Sequence, residues 1–330
     1  MKLKDLGEFQ LIEHIRQRVP VSDDVHRGIG DDAAVVTVPE GHHLLTSTDM
    51  LIESVHFRRD WTRPEDLGHK AVAVNLSDIA AMGGTPRYLY LGLACPGTTA
   101  LGDIKAFLKG ALEEAELYNV ILVGGDTCRS PGPWIISVTV EGSTEADHAI
   151  GRDGAQPGDI IMVSGTLGDS AMALHLLQKD RDPGVVLSAR HHRPTPRVEL
   201  GRRLGKECIA RAMIDISDGL TGDLEHILQA SQVAGLIEEE KLPLSDAFIH
   251  HAANEPALRD LALFGGEDYE LLFTAAPEHE AAALALGIEL DIPITRVGVV
   301  QCGSGSISLQ DGKGARRPIL VRSYDHFCRN

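Results

Sequence analysis

The stretch "AIGRDGAQPGDIIMVSGTLGDSAMALHLLQ", residues 149–178, decides how this chain is organised. Its first eleven residues are rich in Gly, Asp and charge and follow a strand-like run, the composition of a connector. From residue 160 regular structure restarts, as an apolar strand, a glycine turn and a helix. A chain that closes one such segment and opens another here reads as two domains, 1–148 and 149–330. Its 330 residues, 43% of them hydrophobic, suffice for two cores.

The same alternation extends both ways. In the first half, "HHLLTSTD" (42–49), "NVILVGGD" (119–126) and "WIISVTVEG" (134–142) are strand-like, while 64–83 and 101–118 carry helical spacing. In the second half, strands are expected at 211–217, 269–276 and 294–301, with a helix at 222–232. Pro194 and Pro196 mark a connector. The N-terminus reads as a short amphipathic helix. The class is α/β or α+β, with strands and helices mixed in both domains.

Asp and Glu number 48 against 31 Lys and Arg, a formal charge of -17. That argues against non-specific binding of nucleic acid or an anionic membrane, which needs a basic face. It suits a site that gathers divalent cations, although a solvated acidic surface accounts for most of the excess. The five cysteines are widely spaced with no CxxC pair, so neither a zinc ribbon nor a disulfide framework is indicated, and a reduced, cytoplasmic setting is expected. No signal-peptide core or spanning apolar run is present.

Six short clusters share one design, a carboxylate beside glycine, serine or threonine at the end of an element. They are "GIGDD" (28–32), "STD" (47–49), "NLSD" (75–78), "GGDT" (124–127), "IDISDG" (214–219) and "GGEDYE" (265–270). A carboxylate with neighbouring hydroxyls is the hard-oxygen donor set that Mg²⁺ prefers. Asn75 and Asp78, three apart, share a helix face. Any single cluster is equally well explained as a helix cap or turn; six in one chain point to metal ions that bridge carboxylates and a polyphosphate. No Walker A sequence is present, and in "GTLGDS" (165–170) Asp169 or Ser170 is expected to cap the following helix. The adjacent pairs His42-His43, His191-His192 and His250-His251 read as surface residues. His56 stands just beyond the "STD" cluster and is a candidate substrate contact. Arg152 is either a phosphate contact or an ordinary surface arginine.

In order and spacing, "GIGDDAAV", "STDMLIESVHF", "KAVAVNLSDIAAMGGTP", "VGGDT", "PGDIIMVSGTLGDSAMAL", "IDISDGL" and "GGEDYELLFT" resemble the thiamine-monophosphate kinases over about residues 5–328. That family shares an ATP-binding superfamily with aminoimidazole ribonucleotide synthetase, selenophosphate synthetase and a hydrogenase-maturation protein. The resemblance implies an aminoimidazole-ribonucleotide-synthetase-like fold of two α/β domains with ATP in a cleft bounded by both. It also implies a homodimer whose N-terminal-domain strands join across the two-fold axis. The implied activity is transfer of the γ-phosphate of ATP to thiamine monophosphate, giving thiamine diphosphate and ADP, with several Mg²⁺ ions. Carried over by position, Asp32, Ser47, Thr48, Asp49, Asp78, Asp126, Asp215 and Asp218 match metal ligands, and Gly125, Asp126, Arg152 and Ser217 match ATP contacts. His56, Glu267 and Tyr324 match substrate contacts. Other readings are a different ATP-dependent enzyme of the superfamily, or a non-catalytic nucleotide or Mg²⁺ sensor.

Overall fold

The computed structural model describes residues 2–6, 8–20, 22–29, 33–253 and 255–319. By its contacts the chain divides into two units, residues 1–79 with 84–146, and residues 80–83 with 147–330.

In the first unit, strands β1 (His42–Ile52), β2 (Thr85–Cys95), β3 (Ile121–Arg129) and β4 (Ile135–Glu145) form a sheet in the order β1-β4-β2-β3. β4 runs antiparallel to both neighbours, and β2 runs parallel to β3. The period of two sorts the side chains. Leu51, Leu89, Leu91, Leu93, Ile136, Val138 and Val140 are buried, whereas Leu44 and Met50, which alternate with Leu51 along β1, are 48% and 52% exposed. Helices α1 (Glu8–Arg16), α2 (Pro64–Ala81) and α3 (Leu101–Leu117) belong to the same unit, as does a small two-stranded sheet of Val25–Arg27 and Val35–Val36. The N-terminal segment also has a separate helical turn at Leu3–Leu6. α2 and α3 touch backbone to backbone: a Cβ on Gly68 would lie 1.9 Å from the Phe107 carbonyl, and one on Gly110 1.9 Å from that of Glu65. No larger residue fits at either position.

β2 has no counterpart in the sequence reading. Pro86 and Gly92 interrupt its apolar run, and both weaken a local strand signal. β1 also continues three residues past Asp49, because Met50, Leu51 and Ile52 keep pairing with β4. The "STD" cluster therefore lies within a strand, not at its C-terminal end.

The second unit is built on a seven-stranded sheet of β5 (Ile160–Ser164), β6 (Ala212–Asp215), β7 (Ala234–Glu238), β8 (Leu271–Ala275), β9 (Ile294–Gln301), β10 (Ile307–Gln310) and β11 (Arg316–Pro318). Its order is β11-β10-β7-β9-β5-β8-β6, antiparallel except between β10 and β7. β5 and β8 are buried along their whole length, as expected where helices cover both faces. Helices α4 (Asp169–Gln178), α5 (Gly184–His192) and α7 (Leu220–Ala230) share one core with Ile161, Val163, Ile214 and Leu272. Helices α6 (Val198–Lys206) and α8 (Glu280–Glu289) share the other with Ile160, Met162, Met213 and Phe273. Both units are mixed α/β, as the sequence suggests.

Candidate active site

In the first unit β1 and α2 bring three of the expected residues together. Ser47 Oγ donates to Asp78 Oδ2 at 2.6 Å, and the Asp49 main-chain N–H donates to Asn75 Oδ1 at 3.2 Å. Asn75 is 1% exposed and fixed by its own Nδ2, which donates to the Ala71 carbonyl at 2.9 Å. The shared helix face of Asn75 and Asp78 is thus turned to β1. Thr48 is on the other side of the strand, with Thr139 Oγ1 donating to its hydroxyl at 3.0 Å. Any part it takes beside Asp49 falls to its main chain.

β3 is the opposite edge of the sheet. The register carries Asp49 across Val138 and Leu91 to Gly125, three strand spacings or about 14 Å away. Within one chain, Asp126 is therefore not grouped with Ser47, Asp49 and Asp78. Gly125 has a structural reason to be glycine, since a Cβ there would lie 2.0 Å from the Leu91 carbonyl. Gly124, Gly125 and Asp126 line a cavity of about 510 Å³ whose other walls include Ile12, Ile15 and Tyr90. His56 follows β1 in a tight turn in which its Nδ1 accepts the Ile52 N–H at 3.0 Å. That acceptor role puts the ring proton on Nε2. Asp31, Asp32 and Tyr324 lie outside the described residues.

In the second unit two acidic clusters meet, because β8 pairs with β6. Leu271 stands opposite Asp215, and the Glu267 N–H donates to the Ser217 carbonyl at 2.8 Å. Asp215 is 5% exposed; Ser217 and Asp218 are half-buried. Asp223, in the first turn of α7, accepts the N–H groups of Asp218 at 3.0 Å and Gly219 at 3.1 Å. Burial, then the nearby Asp215 charge, push its carboxyl up to about 8. Crowded acids of this kind suit a cation. Among the described residues no three His, Cys, Asp or Glu side chains form a closed metal cage. Mg²⁺ on a nucleotide needs only one or two protein carboxylates and keeps its other places for phosphate and water, so the donor sets fit it. Arg152 is exposed beside β6, where the preceding Gly151 carbonyl accepts the Met213 N–H at 3.0 Å.

Glu267 (φ 67°) and Tyr269 (φ 51°) both hold left-handed backbone, which non-glycine residues seldom adopt. The loop is held from below. Glu270 is fully buried and takes Arg197 at 2.5 and 2.7 Å, Arg190 at 2.5 Å and the Ser164 hydroxyl at 2.5 Å. Burial alone would raise its pKa; the Arg197 hydrogen bonds and the two arginine charges hold it below the usual carboxylate value. Asp268 Oδ2 accepts the Gly168 N–H at 2.8 Å, while its Oδ1 is buried with no hydrogen-bond partner. Burial pushes its carboxyl up to about 8.

Two expectations are corrected here. Neither Asp169 nor Ser170 caps α4, whose N-cap is Gly168. Asp169 instead accepts the Thr166 and Ser245 hydroxyls at 2.6 and 2.5 Å. His191 is not a surface residue: it is 3% exposed, one helical turn after the buried Leu187. That i to i+4 relation to an inward leucine is the sequence signal that would have found it. Asp223, Arg190 and Arg197 are further polar residues of this region that the sequence reading does not single out, and Asp268 and Glu270 fall inside its "GGEDYE" cluster with no role of their own.

These features define a class. Residues 30–144 match the N-terminal domain, and residues 156–309 the C-terminal domain, of the AIR synthase related proteins. Over 98% of each chain the sequence is 42% identical to thiamine-monophosphate kinase of Haemophilus influenzae. The crystal structure of thiamine-monophosphate kinase from Stenotrophomonas maltophilia is 42% identical, covers 96% of this chain and 99% of that one, and superposes with a TM-score of 0.84. The structure of AaThiL complexed with AMPPCP and TMP is 37% identical, covers 99% of each chain and gives 0.77. The chain belongs to the thiamine-monophosphate kinase family.

Proposed function

We propose that this protein transfers the γ-phosphate of ATP to thiamine monophosphate, giving thiamine diphosphate and ADP. The observation that carries this is its identity of 42% with a thiamine-monophosphate kinase over 98% of both chains. The acceptor is a phosphate monoester already ionised near neutral pH, so no strong general base is needed. The obstacle is the approach of one anion to another. Mg²⁺ supplies charge neutralisation and alignment of the phosphates when bound. Asp32, Asp49, Asp78, Asp126, Asp215 and Asp218 would hold it, with Ser47 and Thr48 beside Asp49. The grouping of Ser47, Asp49 and Asp78 and the crowding of Asp215 with Asp223 support this assignment.

Gly125, Asp126, Arg152 and Ser217 are assigned to ATP. The cavity beneath Gly124–Asp126 supports a place there for part of the nucleotide. His56, Glu267 and Tyr324 are assigned to thiamine monophosphate: His56 offers a ring with its proton on Nε2, and Glu267 a carboxylate for the cationic thiazolium. Transfer is direct and in line, since a phosphoenzyme would add a step without easing the repulsion.

The working unit is a homodimer. β1 and β3 are opposite edges, and the sheet exposes Leu44 and Met50. A two-fold axis parallel to the strands sets β1 of one copy against β3 of the other. Such a rotation leaves height along the strands unchanged. Asp49 would then stand on the rung of the partner's Gly125, next to the partner's Asp126. The placement in the cytoplasm rests on the supply of ATP and on Cys95, Cys128, Cys208 and Cys302 being free. No helix among the described residues is long and apolar enough to cross a membrane.

The test is release of ADP from ATP and Mg²⁺ with and without thiamine monophosphate, with thiamine diphosphate measured in the same reaction. Equimolar ADP and thiamine diphosphate are expected. ADP release indifferent to thiamine monophosphate would refute the assignment.

A further inference from the structure

His191 lies behind Glu267 and is closed off from solvent. Its Nδ1 is 3.4 Å from Glu267 Oε2 and 2.9 Å from Ser170 Oγ. The imidazole is 3% exposed and Ser170 fully buried, while the Glu267 side chain keeps 25% of its surface open. A carboxylate can only accept, so Nδ1 orients Glu267 as a donor, in the tautomer that carries the ring proton there. With Nδ1 protonated, the one N–H is shared between Glu267 Oε2 and Ser170 Oγ. Ser170 is fixed on the buried first turn of α4, and His191 is fixed one turn below Leu187 on α5. Two helices thus orient one carboxylate, on a loop whose left-handed backbone at Glu267 leaves it few other placements.

We propose that His191 is the positioning residue for substrate recognition, aiming the Glu267 carboxylate at the cationic ring of thiamine monophosphate. This rests on the assignment of Glu267 as a substrate contact. The Arg190 beside it is committed elsewhere, to Glu270 at 2.5 Å.

The test compares His191→Asn, His191→Gln, Ser170→Ala and Glu267→Gln by steady-state kinetics, varying each substrate in turn. Asparagine places an amide N–H where Nδ1 stands, whereas glutamine places its amide where Nε2 stands. His191→Gln is expected to raise the KM for thiamine monophosphate about tenfold, the loss of one hydrogen bond to a charged group, with the KM for ATP within about twofold. His191→Asn should recover most of that loss, and Ser170→Ala should raise the same KM by about threefold. Equal KM values for the Asn and Gln variants, or a parallel rise in the KM for ATP, would overturn the proposal. Should His191→Gln fail to fold, an unchanged KM in Ser170→Ala would overturn it alone. Glu267→Gln separates the two layers: if it leaves the KM for thiamine monophosphate unchanged, the assignment of Glu267 itself falls.

Discussion

Asp268 shows how one buried atom sets a measurable property. Burial disfavours the charge and pushes its carboxyl up to about 8 from the ordinary 3.8. Between those values the folded state holds a proton that the unfolded state has lost, so stability falls as pH rises from about 4 to about 8. Replacement by asparagine keeps the acceptor for the Gly168 N–H and places an N–H at the orphaned Oδ1. Asp268→Asn is therefore expected to unfold at a higher temperature than wild type at pH 9, by on the order of a few kcal/mol in stability, and to differ little at pH 5. Thermal unfolding followed across that range checks it; identical pH profiles would show that Asp268 is ionised in the fold. The neighbouring Glu270 behaves oppositely because two arginines are present to accept its charge. Sequence adjacency within "GGEDYE" does not distinguish these two acids. Their partners, 100 residues away at Gly168 and 73 away at Arg197, do.

At the scale of elements, the contact between α2 and α3 positions Asn75 and Asp78. Gly110→Ala adds a methyl group where only 1.9 Å separates it from the Glu65 carbonyl. Alanine favours a helix over glycine by about 1 kcal/mol, so local propensity alone predicts stabilisation. The clash should win and cost about 2 kcal/mol or more, seen as a lower urea midpoint. Turnover should fall with it, since α2 has to move away from β1 and take Asp78 from Ser47. A neutral or stabilised variant would show that the helices separate freely. The helical spacing of 64–83 and 101–118 is plain in the sequence, because a helix is written in residues three and four apart. Its approach distance is not, because that depends on a second helix more than 40 residues on.

For the whole molecule, the question is which acids act together. Asp49→Asn and Asp126→Asn should each reduce turnover by at least about 100-fold, the cost of one key electrostatic contact. If the site is assembled from Asp49 of one copy and the partner's Asp126, mixing the two inactive dimers and allowing exchange restores activity. Random pairing makes half the dimers hybrids with one intact site of two, or about a quarter of wild-type activity. No recovery after exchange verified by mass spectrometry would place Asp49 and Asp126 in separate roles within a single chain.

The sequence by itself determined most of the kinds of element and a set of acidic motifs suited to Mg²⁺, because periodicity, turn residues and short motifs are local properties, and the resemblance of those motifs to a known family carried the particular chemistry. It did not contain the order β1-β4-β2-β3, which puts two acidic clusters on opposite edges of one sheet, or the pairing of β6 with β8, which puts two others side by side. Each of these depends on contacts between residues far apart in the chain, formed only when hydrophobic faces are buried against one another. The tertiary structure decided which of the acids are neighbours.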